Sequence, residues 1–380
     1  MRSSMRLLSL GATAAFILAA CSSGATTSSA PSVAPSASAS AAPSESASAS
    51  ASQASGAGYT ACVAFDTGGL GDKGFNDLAK KGLDDAKAAG YTTFFSEAQG
   101  ATDYAANIQR LIDQGCQSIV TVGFNQAQAT IEATKANPDI AFAQVDAVWD
   151  ETANGPTPAN FSGLDFQIDE AAMLAGYLAA GFSKSGKIGT YGGQQFPGVT
   201  RFMDGLYAGI KYHNEQKGTN VELLGWNAAT QTGTFVGGDN PWGDPAKGEQ
   251  LAETFLDQGV DIVHPVSGAT GNGTLKAMLA AGKWGIGVDT DQAISLAEYA
   301  GAIITSAEKV IDVAVLETFN KNSGGDMGGE NFVGTLENKG VRISPFHEFD
   351  SQISAELKSE IDALSAAIAD GSVKVSDYLK

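Results

Sequence analysis

The chain has 380 residues and a formal net charge of −19, with charged residues making up 17% of the sequence. Such an acidic composition argues against binding nucleic acid and against adsorption to anionic lipid. The roughly 320 residues that follow a Ser/Ala-rich N-terminal segment are enough for two domains with cores of their own.

The N-terminal residues predict export. Arg2 and Arg6 form a short basic region, and residues 7–20 are an unbroken run of apolar and small residues. Fourteen helical residues span only about 21 Å, too short for a bilayer, so we expect a signal peptide over residues 1–20. Its end reads LAAC and resembles the lipobox of bacterial lipoproteins, which predicts lipid attachment at Cys21. An ordinary signal peptide followed by a chance cysteine is the alternative.

Residues 22–58 are a low-complexity run of Ser and Ala with a few Pro and no aromatic residue. Such a segment cannot bury enough apolar surface to offset the entropy lost on ordering. We therefore expect residues 21–58 to form a disordered tether with a reach of about 30–35 Å. Membrane attachment would come from the lipid alone and not from a basic patch.

Two further cysteines, Cys62 and Cys116, lie at the starts of predicted parallel strands. Neighbouring strands bring Cα atoms within the range that a disulfide can bridge. Two thiols in an exported domain favour such a bridge. Two buried free thiols are the alternative.

From residue 59 onward, short apolar runs alternate with amphipathic stretches. The first series predicts strands over 61–65, 92–95, 118–122 and 140–145, with helices over 75–89 and 104–114. After a break rich in Pro, Asn and Gly at 150–162, the second series predicts helices over 170–183, 199–216, 246–258 and 273–281, and strands over 187–191, 221–226, 261–266 and 285–288. This alternation is typical of parallel sheets covered on both faces.

The two series predict an α/β fold of two doubly wound lobes with a cleft between them. We expect residues 59–165 plus about 290–325 in the N-terminal lobe, and residues 166–289 plus about 326–380 in the C-terminal lobe. In open α/β sheets, ligands bind outside the carboxyl ends of the strands. The residues that close each strand are therefore the first candidates for a site.

Three matches to known motifs are rejected because the surrounding sequence does not fit them. Residues 69–74 read GLGDKG after a strand, as in a dinucleotide-binding turn, but Asp66 and Asp72 beside them would repel a pyrophosphate. Residues 181–187 read GFSKSGK, yet they lack the Ser or Thr that follows in a P-loop and they run from helix to strand. Residues 306–309 match SxxK without the companion motifs of serine acyl-enzymes.

The three histidines, His213, His264 and His347, are scattered without the spacing of metal ligands. We therefore expect no metal and no cofactor, and a binding protein in place of an enzyme. His264 sits inside an apolar strand, which favours a place in the core or the cleft lining.

Several short motifs follow one another along residues 59–350. They are DTGG continuing to GFN at 66–76, VGF at 122–124, VD at 145–146, EAAMLAGYLAA at 170–180, Phe202 with Gly205, IGVDTDQ at 286–292, Thr305-Ser306 with Lys309, and GTLEN at 334–338. In this order and spacing, the chain resembles the basic membrane protein (Bmp, or purine nucleoside receptor) family of ABC-transporter solute-binding proteins. The resemblance implies the type I periplasmic-binding-protein fold with three crossovers between the lobes.

The resemblance also implies a nucleoside ligand. It assigns ligand contacts to eight residues: Asp66, Phe75, Asn76, Asp146, Phe202, Gly268, Asp289 and Lys309. The two phenylalanines would stack on the two faces of the base, and Asn76 and Asp146 would bond its edge. Asp289 and Lys309 would hold the ribose hydroxyls. Gly268 would approach the ligand through its backbone, and Asp66 would order the glycine-rich loop or reach the ligand.

The partners implied are an ABC permease and its ATPase, with no nucleic acid. The protein would be a monomer held by its lipid on the extracytoplasmic face of a bacterial cell membrane. A receptor for another ring-bearing or sugar-like solute is one alternative. A ligand-sensing co-receptor without transport is the other.

Structural roles stay open for these residues. Either phenylalanine could simply be core, and Asp146 and Asp289 end apolar strands, where they could cap helices. Asp72 and Asp291 are expected to serve the turns more than the ligand. Lys309 is predicted to open a helix, where its charge is unfavourable to the helix dipole.

One loop departs from the resemblance. Residues 235–247 read FVGGDNPWGDPAK, which is longer than expected at this point. Trp149 and Trp242 lie in loops that could border the cleft, where either would add a stacking surface or narrow the pocket.

Overall fold

The computed structural model describes residues 56–380. The predicted signal peptide, the lipidation at Cys21 and nearly all of the predicted tether lie outside these residues. Within the described part, no helix combines the length and the apolar character needed to span a bilayer.

Strands and helices alternate through the described residues. The strands are β1 (Thr60–Phe65), β2 (Thr92–Glu97), β3 (Ser118–Val122), β4 (Ala141–Val145), β5 (Phe161–Phe166), β6 (Lys187–Gly192), β7 (Glu222–Leu224), β8 (Trp226–Asn227), β9 (Thr232–Gly233), β10 (Ile262–Val266), β11 (Trp284–Asp289), β12 (Ile303–Lys309), β13 (Phe332–Gly334) and β14 (Val341–Ile343). The α-helices are α1 (Phe75–Ala88), α2 (Tyr104–Asp113), α3 (Ala127–Ala136), α4 (Glu151–Asn154), α5 (Ile168–Phe182), α6 (Pro197–Lys217), α7 (Pro245–Asp257), α8 (Ala269–Ala280), α9 (Gln292–Ser295), α10 (Ile311–Ser323) and α11 (Ala355–Ala369).

Two six-stranded sheets organise two lobes. The first has the order β2-β1-β3-β4-β5-β13 and is parallel throughout. The second has the order β7-β6-β10-β11-β12-β14 and is parallel except for β14. Helices pack on both sheets, so the predicted α/β fold with two doubly wound lobes is confirmed.

The central strands of the first lobe are buried along their whole length. Strands β3 and β4 carry apolar side chains on both faces, because helices cover both faces of the sheet. Cys62 in β1 and Cys116 just before β3 have Cα atoms 6.0 Å apart and are joined in a disulfide. The bridge ties two adjacent central strands together.

The small residues of α5 explain how the second lobe packs. A methyl group at Gly176 would overlap the backbone of Leu206, and one at Gly209 would overlap the backbone of Met173. Helices α5 and α6 therefore approach closely because a glycine of each helix faces the backbone of the other. The motif LAGYLAA is thus a packing signal.

The chain crosses between the lobes three times. It leaves the first lobe after β5, returns after β12 into α10, and leaves again between β13 and β14. Backbone bonds tie the crossings together: the N–H of Gln167 donates to Gly334 O at 2.8 Å, and that of Val310 to Gly340 O at 3.0 Å. The crossings therefore form one compact hinge.

Several sequence predictions differ from the structure. The predicted return to the N-terminal lobe at about residue 290 is too early, because β12 pairs with β11 in the second sheet. The predicted exchange at about residue 326 is also early, because β13 still pairs with β5. The strand expected over 221–226 is interrupted at Gly225, whose φ of 89° breaks the extended run between β7 and β8.

The lobes touch across the cleft. The side chain of Asn272 donates to Asp72 O at 3.2 Å, and the hydroxyl of Ser295 donates to Lys73 O at 2.8 Å. Both donors belong to the C-terminal lobe, and both acceptors belong to the glycine-rich loop of the N-terminal lobe. The structure is therefore a closed arrangement.

Candidate functional site

A cavity lies between the lobes, at the carboxyl ends of strands from both sheets. Its empty space is about 580 Å³ when the open solvent at its mouth is included. The cavity is lined by Asp66, Gly68, Asp72, Phe75, Asn76, Gly123, Phe124, Asp146, Phe196, Gly198, Val199, Phe202, Trp242, Val266, Ser267, Gly268, Val288, Asp289 and Lys309. All eight residues named from the resemblance are among them.

Asp72 orders the loop that delivers two of these residues. Its carboxylate accepts backbone N–H bonds from Gly74 at 2.9 Å, Asn76 at 2.8 Å and Asp77 at 3.2 Å. These bonds satisfy donors at the start of α1, in the manner of a helix cap. Asp72 thus serves the turn, which places Phe75 and Asn76 at the cavity wall.

The side-chain amide of Asn76 is held in one orientation. Its Nδ2 donates to Asp66 Oδ1 at 3.1 Å and to Asp72 Oδ2 at 3.0 Å. Its Oδ1 is buried and bonds to no residue that the structure describes. Because both amide protons are committed to carboxylates, Asn76 offers a ligand only an acceptor.

Asp146 and Asp289 occupy matching places in the two lobes. Asp146 directly follows β4, and Asp289 ends β11. Both adopt left-handed backbone angles, with φ of 61° and 65°, which costs roughly 1–3 kcal/mol and is concentrated at functional sites. The carboxylate of Asp146 accepts from Lys309 and does not cap a helix. The geometry turns both carboxylates out of their strands and toward the cavity.

Lys309 connects these two aspartates. Its Nζ donates to Asp146 Oδ2 at 2.6 Å and lies 3.6 Å from Asp289 Oδ1, too far for a hydrogen bond. The side chain of Lys309 is only 2% exposed. The prediction that Lys309 opens a helix is wrong: it ends β12, immediately before the chain crosses to α10.

The two predicted stacking residues face the same ammonium group. Lys309 Nζ lies 5.2 Å from the ring centroid of Phe75 and 5.0 Å from that of Phe202. The two centroids are therefore at most about 10 Å apart, so both rings line the same part of the cavity. Phe202 also belongs to the core, since it is 1% exposed.

Gly268 lies where α8 begins, with φ of 55°. A methyl group there would come 3.3 Å from the carbonyl oxygen of Trp242. Because L side chains rarely adopt this backbone conformation, glycine lets the strand end turn sharply beside the cavity.

Sequence reasoning missed the aromatic residues at the cavity mouth. Phe124 of the N-terminal lobe stacks on Phe196 of the C-terminal lobe, with centroids 5.2 Å apart and planes at 19°. Phe196 in turn contacts Trp242 at 5.8 Å. Trp242 lines the cavity, whereas Trp149 packs on Phe161 away from it. Phe124 lies shortly after the end of β3, and Phe196 directly precedes α6. Both lie in segments that join a strand to the next helix, where sequence reasoning could have found them.

The ionisable groups of the cavity are shifted by burial. Burial raises the pKa of Asp66 to about 6, against bonds from Gly68 and Asn76 that lower it. Burial likewise raises the pKa of Asp289 to about 6, although nearby Lys309 lowers it. For Lys309, burial disfavours the charge, but the carboxylates of Asp146 and Asp289 outweigh burial and raise the pKa. The ammonium is therefore charged at neutral pH.

Burial of the two acids makes stability depend on pH. Their pKa values are about 6 in the folded chain and about 3.9 when unfolded, so the folded state binds more protons between these values. We expect the free energy of unfolding of the ligand-free protein to gain about 1–3 kcal/mol from these groups between pH 7 and pH 5. Urea unfolding at both pH values measures the gain. The measured gain should shrink in the Asp66→Asn/Asp289→Asn variant but not vanish, because burial also raises the pKa values of Asp72 and Asp146. A gain as large in that variant as in the wild type would mean that Asp66 and Asp289 do not contribute to it.

Four buried polar atoms along the cavity have no hydrogen-bond partner among residues 56–380. They are Asn76 Oδ1, Trp242 Nε1, Ser267 Oγ and Asp289 Oδ1. Because more than about 90% of buried polar groups are paired in native structures, their convergence on one cavity is the mark of a ligand site.

His264 is buried under Phe202 and does not line the cavity. In the same residues, no group of three or more His, Cys, Asp or Glu side chains is placed to hold a metal ion.

Two doubly wound lobes, a three-stranded hinge and a cleft of aromatic and acidic side chains define a solute-binding protein of type I. The family profile described as ABC transporter substrate-binding protein PnrA-like (Bmp) matches residues 60–377. The chain belongs to this family, and it is an extracytoplasmic solute-binding receptor and not an enzyme.

Curated relatives agree with this assignment. Basic membrane protein A of Borreliella burgdorferi is 30% identical over 306 residues, covering 79% of this chain and 83% of the relative. ABC transporter nucleoside-binding protein BmpA of Lactococcus lactis subsp. cremoris is 29% identical over 342 residues, covering 83% of this chain and 88% of the relative.

Solved structures share the fold. A solute-binding protein of an ABC transporter system from Aeropyrum pernix K1 has a TM-score of 0.74 and 25% identity, covering 83% of this chain and 92% of that one. An ABC transporter solute-binding protein from Actinobacillus succinogenes 130z with bound D-allose has a TM-score of 0.56 at 13% identity, covering 77% and 99%. The second likeness concerns the fold alone.

Proposed function

We propose that this protein is a lipid-anchored receptor that closes its lobes around a purine nucleoside-like ligand and delivers it to an ABC permease and ATPase. The observation that carries the proposal is the convergence of two aromatic rings, Phe75 and Phe202, and of two strand-end aspartates on the ammonium of Lys309 in one cavity. The name of the Lactococcus lactis relative supports a nucleoside ligand.

The chemistry of a nucleoside fits this cavity. Its base offers two aromatic faces, and stacking contributes about 1–3 kcal/mol per face. Its cis-diol offers two hydroxyl groups that can donate hydrogen bonds to a carboxylate such as that of Asp289. The Lys309 ammonium keeps that carboxylate ionised. Nucleotides are disfavoured, because their phosphates would meet Asp66 and Asp289.

Ligand contacts from both lobes would stabilise the closed arrangement. Phe75, Asn76 and Asp146 belong to the N-terminal lobe, and Phe202, Asp289 and Lys309 to the C-terminal lobe. A ligand that touches both sets shifts the hinge equilibrium toward closure. The LAAC sequence at 18–21 supports anchoring by lipid at Cys21, with the receptor acting as a monomer.

Thermal denaturation with a ligand panel tests the proposal. The panel contains purine and pyrimidine nucleosides, free bases, ribose and riboflavin. Ligand at 100 times its Kd should add about 2.7 kcal/mol to the stability, a shift of several degrees. A shift with nucleosides but with neither ribose nor free bases is expected. A shift with ribose alone would favour a sugar receptor, and no shift with any nucleoside would overturn the ligand assignment.

A further inference from the structure

Two hydrogen-bond donors of the cavity lining have no partner among residues 56–380, the hydroxyl of Ser267 and the indole N–H of Trp242. Trp242 lies in the long loop before α7 and lines the cavity. Its Nε1 is buried and has no hydrogen-bond partner among residues 56–380. A buried unpaired donor costs about 1–3 kcal/mol, so the position is unfavourable unless something else accepts the bond.

Two other tryptophans of the chain show the usual arrangement. Trp149 Nε1 donates to Gly155 O at 2.9 Å, and Trp226 Nε1 donates to Asp204 Oδ1 at 2.8 Å. Both lie outside the cavity lining. Of the four tryptophans, all within residues 56–380, Trp242 alone has an Nε1 that is both buried and without a partner.

The six-membered ring of Trp242 packs against Gly193. A methyl group at Gly193 would overlap that ring around Cε3 and Cζ3, so the ring lies against the Gly193 backbone. Nε1 belongs to the five-membered ring of the indole and is not one of the atoms in this contact. The Phe196 ring, 5.8 Å away, supports the indole from the side of the mouth.

Trp242 lies at the Asn76 end of the cavity. A methyl group at Gly68 would lie 2.9 Å from Asn76 Nδ2 and 3.7 Å from Trp242 Cβ, so Gly68 separates the two residues. Asn76 presents only an acceptor, and the ammonium of Lys309 is committed to Asp146. The Trp242 N–H is therefore an uncommitted donor in the part of the cavity lining that contains the acceptor of Asn76.

We propose that the Trp242 indole N–H donates a hydrogen bond to an acceptor on the base edge of the ligand, a ring nitrogen or a carbonyl oxygen. Together with Asn76 Oδ1, it makes the site select bases that carry an acceptor and an N–H donor side by side. This inference rests on the proposed nucleoside function and adds a residue that determines specificity.

Titration calorimetry of the full chain with inosine, guanosine and adenosine tests the inference. Trp242→Phe keeps an aromatic ring against Phe196 but removes the N–H. We expect its Kd for the best of the three nucleosides to rise about 5- to 20-fold, as for one lost bond that leaves a buried acceptor unpaired. Trp149→Phe, which removes an N–H outside the cavity, should change that Kd less than twofold.

A ligand-free melting curve separates recognition from folding. Both substitutions remove the same ring atoms, but only Trp149 loses a paired N–H, so Trp242→Phe should lower the Tm less than Trp149→Phe does. A Kd of Trp242→Phe within twofold of the wild type overturns the inference alone, and so does a Tm loss that matches the binding loss. Failure of the wild-type protein to bind any of the three nucleosides overturns both the inference and the proposed function.

Discussion

Replacing Lys309 with methionine should weaken nucleoside binding more than 100-fold and destabilise the ligand-free protein by about 3–5 kcal/mol at pH 7. Methionine fills similar space, so the loss is that of a charge. Lys309 is the cation beside Asp146 and Asp289, and removing one partner of a buried ion pair leaves uncompensated buried charge, at a cost of this size. Binding suffers as well, because the two carboxylates would no longer be held ionised in the cavity.

The instability of Lys309→Met should shrink as the pH falls. Without the ammonium, the pKa values of Asp146 and Asp289 would rise further above their unfolded values. The folded variant would then take up protons more readily than the unfolded chain, so lowering the pH from 7 to 5 stabilises it.

Urea unfolding at pH 7 and pH 5, together with calorimetric titration, measures both effects of Lys309→Met. Lys217→Met is the matched control, because Lys217 pairs with Glu356 and Glu360 on the surface. That control should change neither stability nor affinity beyond measurement error. A Lys309→Met protein with wild-type stability and less than a threefold loss of affinity would contradict the role assigned to the ammonium.

Replacing Asp289 with alanine should weaken nucleoside binding about 30- to 150-fold, or about 2–3 kcal/mol. Its Oδ1 is buried and has no hydrogen-bond partner in the described residues, so it is able to accept a bond from a ligand. The ligand-free protein should lose little stability, because burial disfavours the charged carboxylate and Lys309 keeps its bond to Asp146.

Asp261→Ala is the matched control, for which we expect a loss of stability without a loss of affinity. Asp261 lies in the same lobe and is 1% exposed. It accepts bonds from the hydroxyl of Ser183 and the backbone of Lys184 and Ser185, all within the protein. Its removal should lower stability and leave affinity unchanged. Calorimetry showing less than a threefold loss for Asp289→Ala would remove Asp289 from the site.

The alternation of strands and helices was predictable because central parallel strands are buried on both faces. Strand β3 reads SIVTV and β10 reads IVHPV, and short, mostly apolar runs of this kind are typical of buried parallel strands. Strands near the hinge were harder, since β13 and β14 have only three residues each. Their place is decided by pairing with distant strands, which no local pattern encodes.

Lys309 shows why local reasoning failed at the site. The run before it, IITSAEK, carries polar residues that suggest the end of an apolar strand well before Lys309. The strand continues because Glu308 pairs with Arg342 of β14, and because Lys309 finds two buried carboxylates. Both partners are remote in sequence, so tertiary contacts set the boundary.

The residues named from the family motifs all line one cavity, but the contacts among them differ from the expectation. Asp146 was expected beside Asn76 at the base edge, and the structure bonds it to Lys309, a residue expected at the ribose. The aromatic contact of Phe124 with Phe196 was missed, because it forms only when the two lobes meet.

Calorimetric titration of the wild-type protein with inosine, and separately with hypoxanthine and ribose, tests the central claim most directly. Under the proposed function, Phe75 and Phe202 would contact the base and Asp289 and Lys309 would contact the diol, so both parts of the ligand should be required. We expect saturable binding of inosine at one molecule per chain, with hypoxanthine and ribose each at least 100-fold weaker. Ribose that binds as tightly as inosine, or inosine that does not bind while ribose does, would contradict a nucleoside receptor.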